Sequence, residues 1–425
     1  MKRRTVLAAL AGLPLLPRLL RAAPKASGDY FIFIHAAGGW DVTLWADPRN
    51  ERKGLVEPAS TDNTDIAPLA HWKSVKLDAD TDTFAILEPN DVKMRLGPGI
   101  GDLYDLRDRL TIVNGLAMNT VSHPDGTAYS ATGRHLAGGR PPAASVDVAI
   151  ANERGTTQLL PDISVNFPSS FVGERLDRRA IPLRVASAAT IAKSLARSEA
   201  YLADDDREAI STLLTQEAGD LAARSTFPET YERLEAQETA LPHLLGNELK
   251  AAFTQKALMD AYPQFDYKAR FIGAGVLAAA FALEAMKRDL VRCVGFSLGG
   301  LDTHNQNYKQ HAHTQQELFG TIATLVKLLD QAKMSDRTHI LVVSDFCRTP
   351  QINLNGGRDH YPNNSALVIS PRFRGGRTFG STDFEQLLPA GSLTPPDLLA
   401  TFLHAFGIDH RRYLRDGDVI AEMLA

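Results

Sequence analysis

Five short apolar runs constrain this chain more than any other feature: FIFI (31–34), LTIVNGL (110–116), VRCVGF (291–296), HILVVS (339–344) and SALVIS (365–370). Predominantly apolar, they read as buried strands. Helical spacing lies between several of them, as where Leu318, Ile322, Leu325 and Leu329 share one face of residues 314–333. That alternation predicts an α/β core with a largely parallel central sheet flanked by helices.

Polar residues collect where these runs end. FIFI leads into His35 and Asp41, LTIVNGL into Thr120, Ser122, His123 and Asp125, VRCVGF into Ser297, Asp302 and His304, and HILVVS into Asp345 and Arg348. Asp359 and His360 stand just before the fifth run. The carboxyl ends of parallel strands line one rim, where sites form, so a cluster of several Asp and His is expected there. Crowded carboxylates repel one another unless a cation sits between them or some take up protons. Mixed Asp/His ligation suits zinc, manganese or iron. Taken singly, Asp41 and Asp302 could equally cap turns or helices, and His304 and His360 could be satisfied loop histidines; His311 and His313 are expected on a solvated helix face.

Residues 190–287, rich in Ala, Leu, Glu and Arg, read as a helical insertion, and TPPDLLATFLHAFGI (394–408) as a final helix opened by Pro395 and Pro396. The expected organisation is an export signal over residues 1–26 and a single domain over 27–425. The first residues, MKRRTVLAALAGLPLLPRLLRAAPKASG, combine a basic start with an apolar stretch too short and proline-broken to span a bilayer. Arg3-Arg4 before that stretch resembles a twin-arginine signal, which implies the twin-arginine export machinery as a partner and a periplasmic or secreted location. Removing residues 1–25 takes away six basic and no acidic residues, leaving 40 basic against 50 acidic. Such a balance gives no electrostatic reason to bind nucleic acid or anionic lipid. Two cysteines, Cys293 and Cys347, supply neither a disulfide framework nor a cysteine zinc site.

A competing signature is Gly295-Phe296-Ser297-Leu298-Gly299, the G-x-S-x-G pattern of a nucleophilic serine, with Ser297, Asp345 and His360 in α/β-hydrolase chain order. A nucleophile elbow runs straight into a helix, whereas LGGLDTHNQN follows here, and helix starts only several residues later. This serine-hydrolase reading ranks lowest.

The blocks GGLDTHNQNYKQHAHTQQEL and ILVVSDFCRTPQINLNGGRDHYPNNSALVIS, with the earlier FIHAAGGWDVTLWADP and SHPDGTAYSATGRH, resemble the exported bacterial proteins of the domain of unknown function 1501 family. That family is similar in architecture to the alkaline phosphatase and sulfatase superfamily. The resemblance implies an alkaline phosphatase-like core with one or two divalent ions (zinc, manganese, iron or calcium) and a small anionic ester, phosphate or sulfate, as substrate. It implies Asp41, Asp302, His304, Asp345 and His360 as metal ligands. His123 falls at the nucleophile's place, where Ser or Thr would be expected, and Phe346 stands where active phosphatases carry the histidine of an Asp-His pair. His123 and Arg348 are the expected catalytic residues, Arg348 as a bidentate holder of the substrate anion. The alternative is a non-catalytic periplasmic binding or assembly protein that kept the fold.

Overall fold

The computed structural model describes residues 28–49, 74–76, 82–155, 157–190, 251–383 and 386–425, with isolated positions between 206 and 224. The expected export signal, and much of the segment 190–287, lie outside the described residues. Within that segment run the helices Gln255–Ala261 and Gly273–Lys287.

Twelve strands are described, in chain order β1 (Tyr30–Ala36), β2 (Ser74–Lys76), β3 (Asp82–Phe84), β4 (Leu110–Ala117), β5 (Leu160–Val165), β6 (Leu183–Val185), β7 (Val291–Leu298), β8 (Thr338–Ser344), β9 (Cys347–Arg348), β10 (His360–Tyr361), β11 (Asn363–Ile369) and β12 (Arg377–Phe379). Eight form one sheet in the order β12-β4-β11-β8-β1-β7-β5-β6. The five apolar runs are its five contiguous strands β4, β11, β8, β1 and β7. Sequence reading gave no sign of β5, β6 and β12, because β5 carries Pro161, Asp162 and Ser164 among its apolar residues and the other two are three residues long.

Every pairing in this sheet is parallel except those of β11, which runs antiparallel to both β4 and β8. This reversal matters for the rim. Strands β1, β4, β7 and β8 end there, while β11 begins there, so residues that precede β11 in the chain join residues that follow the others.

Side chains of β1 alternate between two cores, as strand geometry requires. Tyr30, Ile32 and Ile34 pack with the helices Gly273–Lys287 and Ala312–Gln331; Phe31 and Phe33 pack with Phe402 and Phe406 from the region of the helix Pro395–Ala405. Leu318, Ile322, Leu325 and Leu329 form the buried stripe of Ala312–Gln331. The last helix starts at Pro395 behind a capping box made by Thr394 and Asp397, which satisfies two amide groups of its first turn. Cys293 and Cys347 are buried free thiols. Among the described residues no helix is long and apolar enough to cross a membrane.

One buried group carries a pH dependence. Asp162 on β5 is 1% exposed and lies against Asp147 of the helix Val146–Ile150. Burial, compounded by the Asp147 carboxyl, pushes Asp162 well above the usual carboxylate range. The folded chain therefore keeps a proton that the unfolded chain releases near pH 4, so this site's contribution to stability is full below that pH and falls as pH rises toward the folded value. Asp162→Asn, neutral throughout, is expected to melt higher than the wild type at pH 8. The gap should narrow on going down to pH 5.5. Thermal melts at the two pH values decide this; an equal gap at both would refute it.

Candidate metal centre

Five chain segments meet at the rim. His35 stands near the end of β1, and the helix His123–Thr132 follows β4. That helix opens at His123, with Ser122 extended before it and Pro124 in its first turn, and it ends at Gly133, whose φ is +67°. Asp302 and His304 follow β7. Arg348 and His360 face each other across the antiparallel ribbon of β9 and β10. Gly38, at φ +114°, lets the loop after β1 touch the Leu301–Asp302 backbone, where a Cβ would overlap it.

Three imidazoles converge on one carboxylate oxygen. From Asp302 Oδ1, the Nε2 atoms of His304, His123 and His360 lie at 3.2, 3.3 and 3.8 Å. The Nε2 atoms of His304 and His360 are 3.0 Å apart. Ligand atoms of His123, Asp302 and His360 all fall within 4.8 Å of one another.

Each imidazole is tied by its other nitrogen. His123 Nδ1 donates to Asp345 Oδ2 at 2.6 Å, His304 Nδ1 to Asp359 Oδ1 at 2.7 Å, and His360 Nδ1 to the Val121 carbonyl at 2.7 Å. These acceptors place the proton on Nδ1 and leave the Nε2 lone pair facing the cluster. His123 Nε2 is buried with no hydrogen-bond partner. The ring of the fully buried Phe346 lies 4.7 Å from that of His123 and 4.6 Å from that of His360, which fixes both rings sideways.

Charge is arranged to match. Burial works against the Asp302 carboxylate, but the hydrogen bond and charge of Arg348 help hold its pKa below the usual value. The hydrogen bond to Asp345 raises His123. Burial lowers His360, aided by His123, Arg348 and His304. The centre itself is open: the Asp302 and His304 side chains are 54% and 46% exposed.

Other residues singled out in the sequence sit around this cluster rather than in it. Asp345 accepts four hydrogen bonds: from His35, from Thr127 Oγ1 at 2.9 Å, from His123, and from the Gly38 amide at 3.1 Å. Burial opposes its ionisation, but His35 and the hydrogen bonds from His123, His35 and Thr127 hold it well below the usual range. Arg348 is fully buried, with its donors spent on the carbonyls of Gly38, Gly39 (2.9 Å) and Arg358 (3.1 Å) and on Asp302 Oδ1 (2.7 Å). The expected bidentate grip on a substrate anion does not match this geometry, because the guanidinium is turned inward to brace Asp302.

Asp41, expected among the ligands, caps the short turn Val42–Leu44 instead. Its Oδ1 accepts from the Thr43 amide (3.0 Å) and hydroxyl (2.6 Å), and its Oδ2 from Asn307 (2.8 Å), with Arg358 Nε at 3.2 Å. His311, expected on a solvated face, is fully buried. Its Nε2 accepts from the Asp41 amide at 2.8 Å, and burial, aided by Arg348 and Arg358, pushes it down to about 3. His313 is part-exposed beside Glu317, at 3.2 Å. Ser297 donates to the Asn166 carbonyl at 2.6 Å and lies 3.4 Å from His35 Nδ1, so its histidine neighbour is His35 and not His360.

Sequence reading placed His35 and Asp359 in the strand-end cluster without a specific role and did not single out Thr127; His35 and Thr127 bond to Asp345, and Asp359 to His304. Asp359 had a signal, standing directly before His360. Thr127 had none, since its place one helical turn beyond His123 acquires meaning only once Asp345 faces that helix.

Solved structures with a similar fold include the PsFucS1 sulfatase from Pseudoalteromonas sp. (13% identity, 94% of this chain and 72% of that one, TM-score 0.37). Ps i-CgsB in complex with k-i-k-neocarrahexaose gives 11% identity over 92% and 75%, with TM-score 0.37. The lipoteichoic acid synthase LtaP from Listeria monocytogenes gives 9% over 90% and 73%, with TM-score 0.34. A comparison with curated proteins finds no match. The family model described as "Protein of unknown function (DUF1501)" matches residues 31–418, from the first sheet strand to beyond the last long helix, and the chain therefore belongs to the DUF1501 family.

Proposed function

We propose that this protein is an exported, metal-dependent hydrolase of a phosphate or sulfate ester, with His123, Asp302, His304 and His360 holding the metal. The observation that carries the reading is the convergence of three Nε2 lone pairs on the Asp302 carboxylate, one of them the buried, unpartnered Nε2 of His123. A bare set of lone pairs around an anionic oxygen is repulsive, and a cation between them removes the repulsion. The donor set therefore fits a divalent ion. Such an ion, when bound, would polarise an ester oxygen and stabilise the charge that develops on it.

The protein's own residues set up that chemistry. Asp345, held by His35, Thr127 and the Gly38 amide, keeps the His123 proton on Nδ1. Arg348 pins Asp302 and lowers the charge an anionic ester must approach. The open face at Asp302 and His304 lets an ester reach the centre from solvent. Export rests on the basic, twin-arginine-like start of the chain, and a twin-arginine route carries proteins already folded, with their metal in place.

A binding protein without catalysis is the second reading. It is favoured by His123 at the nucleophile's place and by the engagement of the nearby Thr127 hydroxyl with Asp345. Release of p-nitrophenol from p-nitrophenyl phosphate and p-nitrophenyl sulfate, with metal-loaded wild type against Asp302→Ala, tests the two. Turnover by the wild type that the variant lacks supports the hydrolase. Product release no faster than the variant's on either ester would favour the binding protein.

A further inference from the structure

The resemblance leaves open one ion or two, and calcium as well as transition metals. The geometry points to a mononuclear centre of the zinc, manganese and iron type that rejects calcium, an inference that rests on the metal-centre reading above. Three imidazole nitrogens and one carboxylate oxygen suit a borderline transition metal. Calcium takes six to eight oxygen ligands, and a set offering mainly nitrogen cannot supply them.

Spacing gives the same answer. Ligands of one ion with bonds of about 2.0–2.1 Å stand roughly 3–4 Å apart. Four of the six pair separations, 3.0 Å between His304 and His360 and 3.2, 3.3 and 3.8 Å from Asp302 to His304, His123 and His360, fall in that span. His304 Nε2 and His360 Nε2 stand 3.0 Å apart. With Nδ1 of each ring donating to Asp359 and to the Val121 carbonyl, neither Nε2 of the neutral pair carries a proton to share.

Among the described residues a second ion lacks donors. Asp345 and Asp41, the other carboxylates that the resemblance implies as ligands, are both engaged: Asp345 by four hydrogen bonds, Asp41 by Thr43, Asn307 and Arg358. Phe346, where a further histidine ligand would stand, instead packs on the rings of His123 and His360. Asp345 thus becomes a positioning residue, acting on the ion through His123 as carboxylates behind metal-bound histidines do.

The test is titration of the chelator-stripped full chain with Co²⁺, read by its visible absorption, followed by competition with Zn²⁺ and with Ca²⁺. One equivalent of Co²⁺ is expected, displaced by Zn²⁺ and unaffected by millimolar Ca²⁺. His304→Gln should lose the absorption band, and Asp345→Asn should keep a one-to-one endpoint while weakening binding about 10–100-fold. Two equivalents in the wild type, displacement of Co²⁺ by Ca²⁺, or an unchanged band in His304→Gln would overturn the inference. Because the endpoint is read on the wild type without ester, a chain that binds one Co²⁺ but hydrolyses nothing would sink the proposed activity and leave this inference standing.

Discussion

Alanine in place of His360 is expected to lower affinity for the metal by at least about 100-fold, beyond the 10–100-fold typical of losing an outer partner. The ring presents its Nε2 lone pair 3.8 Å from Asp302 Oδ1 and 3.0 Å from His304 Nε2, and the Val121 carbonyl keeps it in that tautomer. Removal leaves two imidazoles and Asp302, with a gap beside Phe346 that alanine does not fill. Ser297→Ala is the matched control: its hydroxyl donates to the Asn166 carbonyl, and its histidine neighbour is His35. Elemental analysis of the two variants beside the wild type should show metal lost from the first and retained in the second. If His360→Ala kept its metal while Ser297→Ala lost all activity, the ranking of the metal centre over the serine would be reversed.

Gly357→Ala should have the largest effect of any single-methyl change near the site. A Cβ at Gly357 would overlap the carbonyl of His304 and the amide of Asn305. Neither side can yield, since both are backbone. The two loops are stitched around that point, with the Asn307 amide donating to the Gly356 carbonyl at 2.9 Å, the Arg358 amide to Thr303 at 3.3 Å and the Asn353 amide to the Gly357 carbonyl at 2.8 Å. Adding the methyl forces the loop that carries Asp359 and His360 away from the loop that carries Asp302 and His304. Overpacking of this kind costs about 1–3 kcal/mol or more, and here it also opens the ligand set. The expected result is a lower melting temperature together with a Co²⁺ endpoint lost or blurred. A variant with wild-type melting and metal binding would show that the two loops do not need this contact.

How far the site could be read in advance varies residue by residue. Asp302, His304 and His360 were legible, because each stands next to an apolar run whose strand character is a local property. His123 was also singled out, though as the occupant of a nucleophile's place; the facing of its Nε2 toward Asp302 depends on Asp345, which reaches it from 222 residues away. Asp41, Asp345 and Arg348 have the same strand-end placement as Asp302, His304 and His360, and nothing in their spacing says that they turn inward. Asp41 meets a buried Arg358 and Asn307, Asp345 meets His35, and Arg348 meets three carbonyls. Each of these partners is distant in the chain or becomes an acceptor only once the loops are folded.

By itself the sequence determined the α/β class, the five central strands and the fact that polar residues crowd at their ends, since hydrophobic period and run length are set by neighbouring residues. Tertiary structure decided two things. It reversed β11, which alone brings Asp359 and His360 to the rim where the parallel strands end. It also sorted one set of Asp, His and Arg into those that face the open centre and those that brace it. The physical reason is that a carboxylate takes its role from the donors that reach it, and those donors arrive from strands and loops that the chain order does not make adjacent.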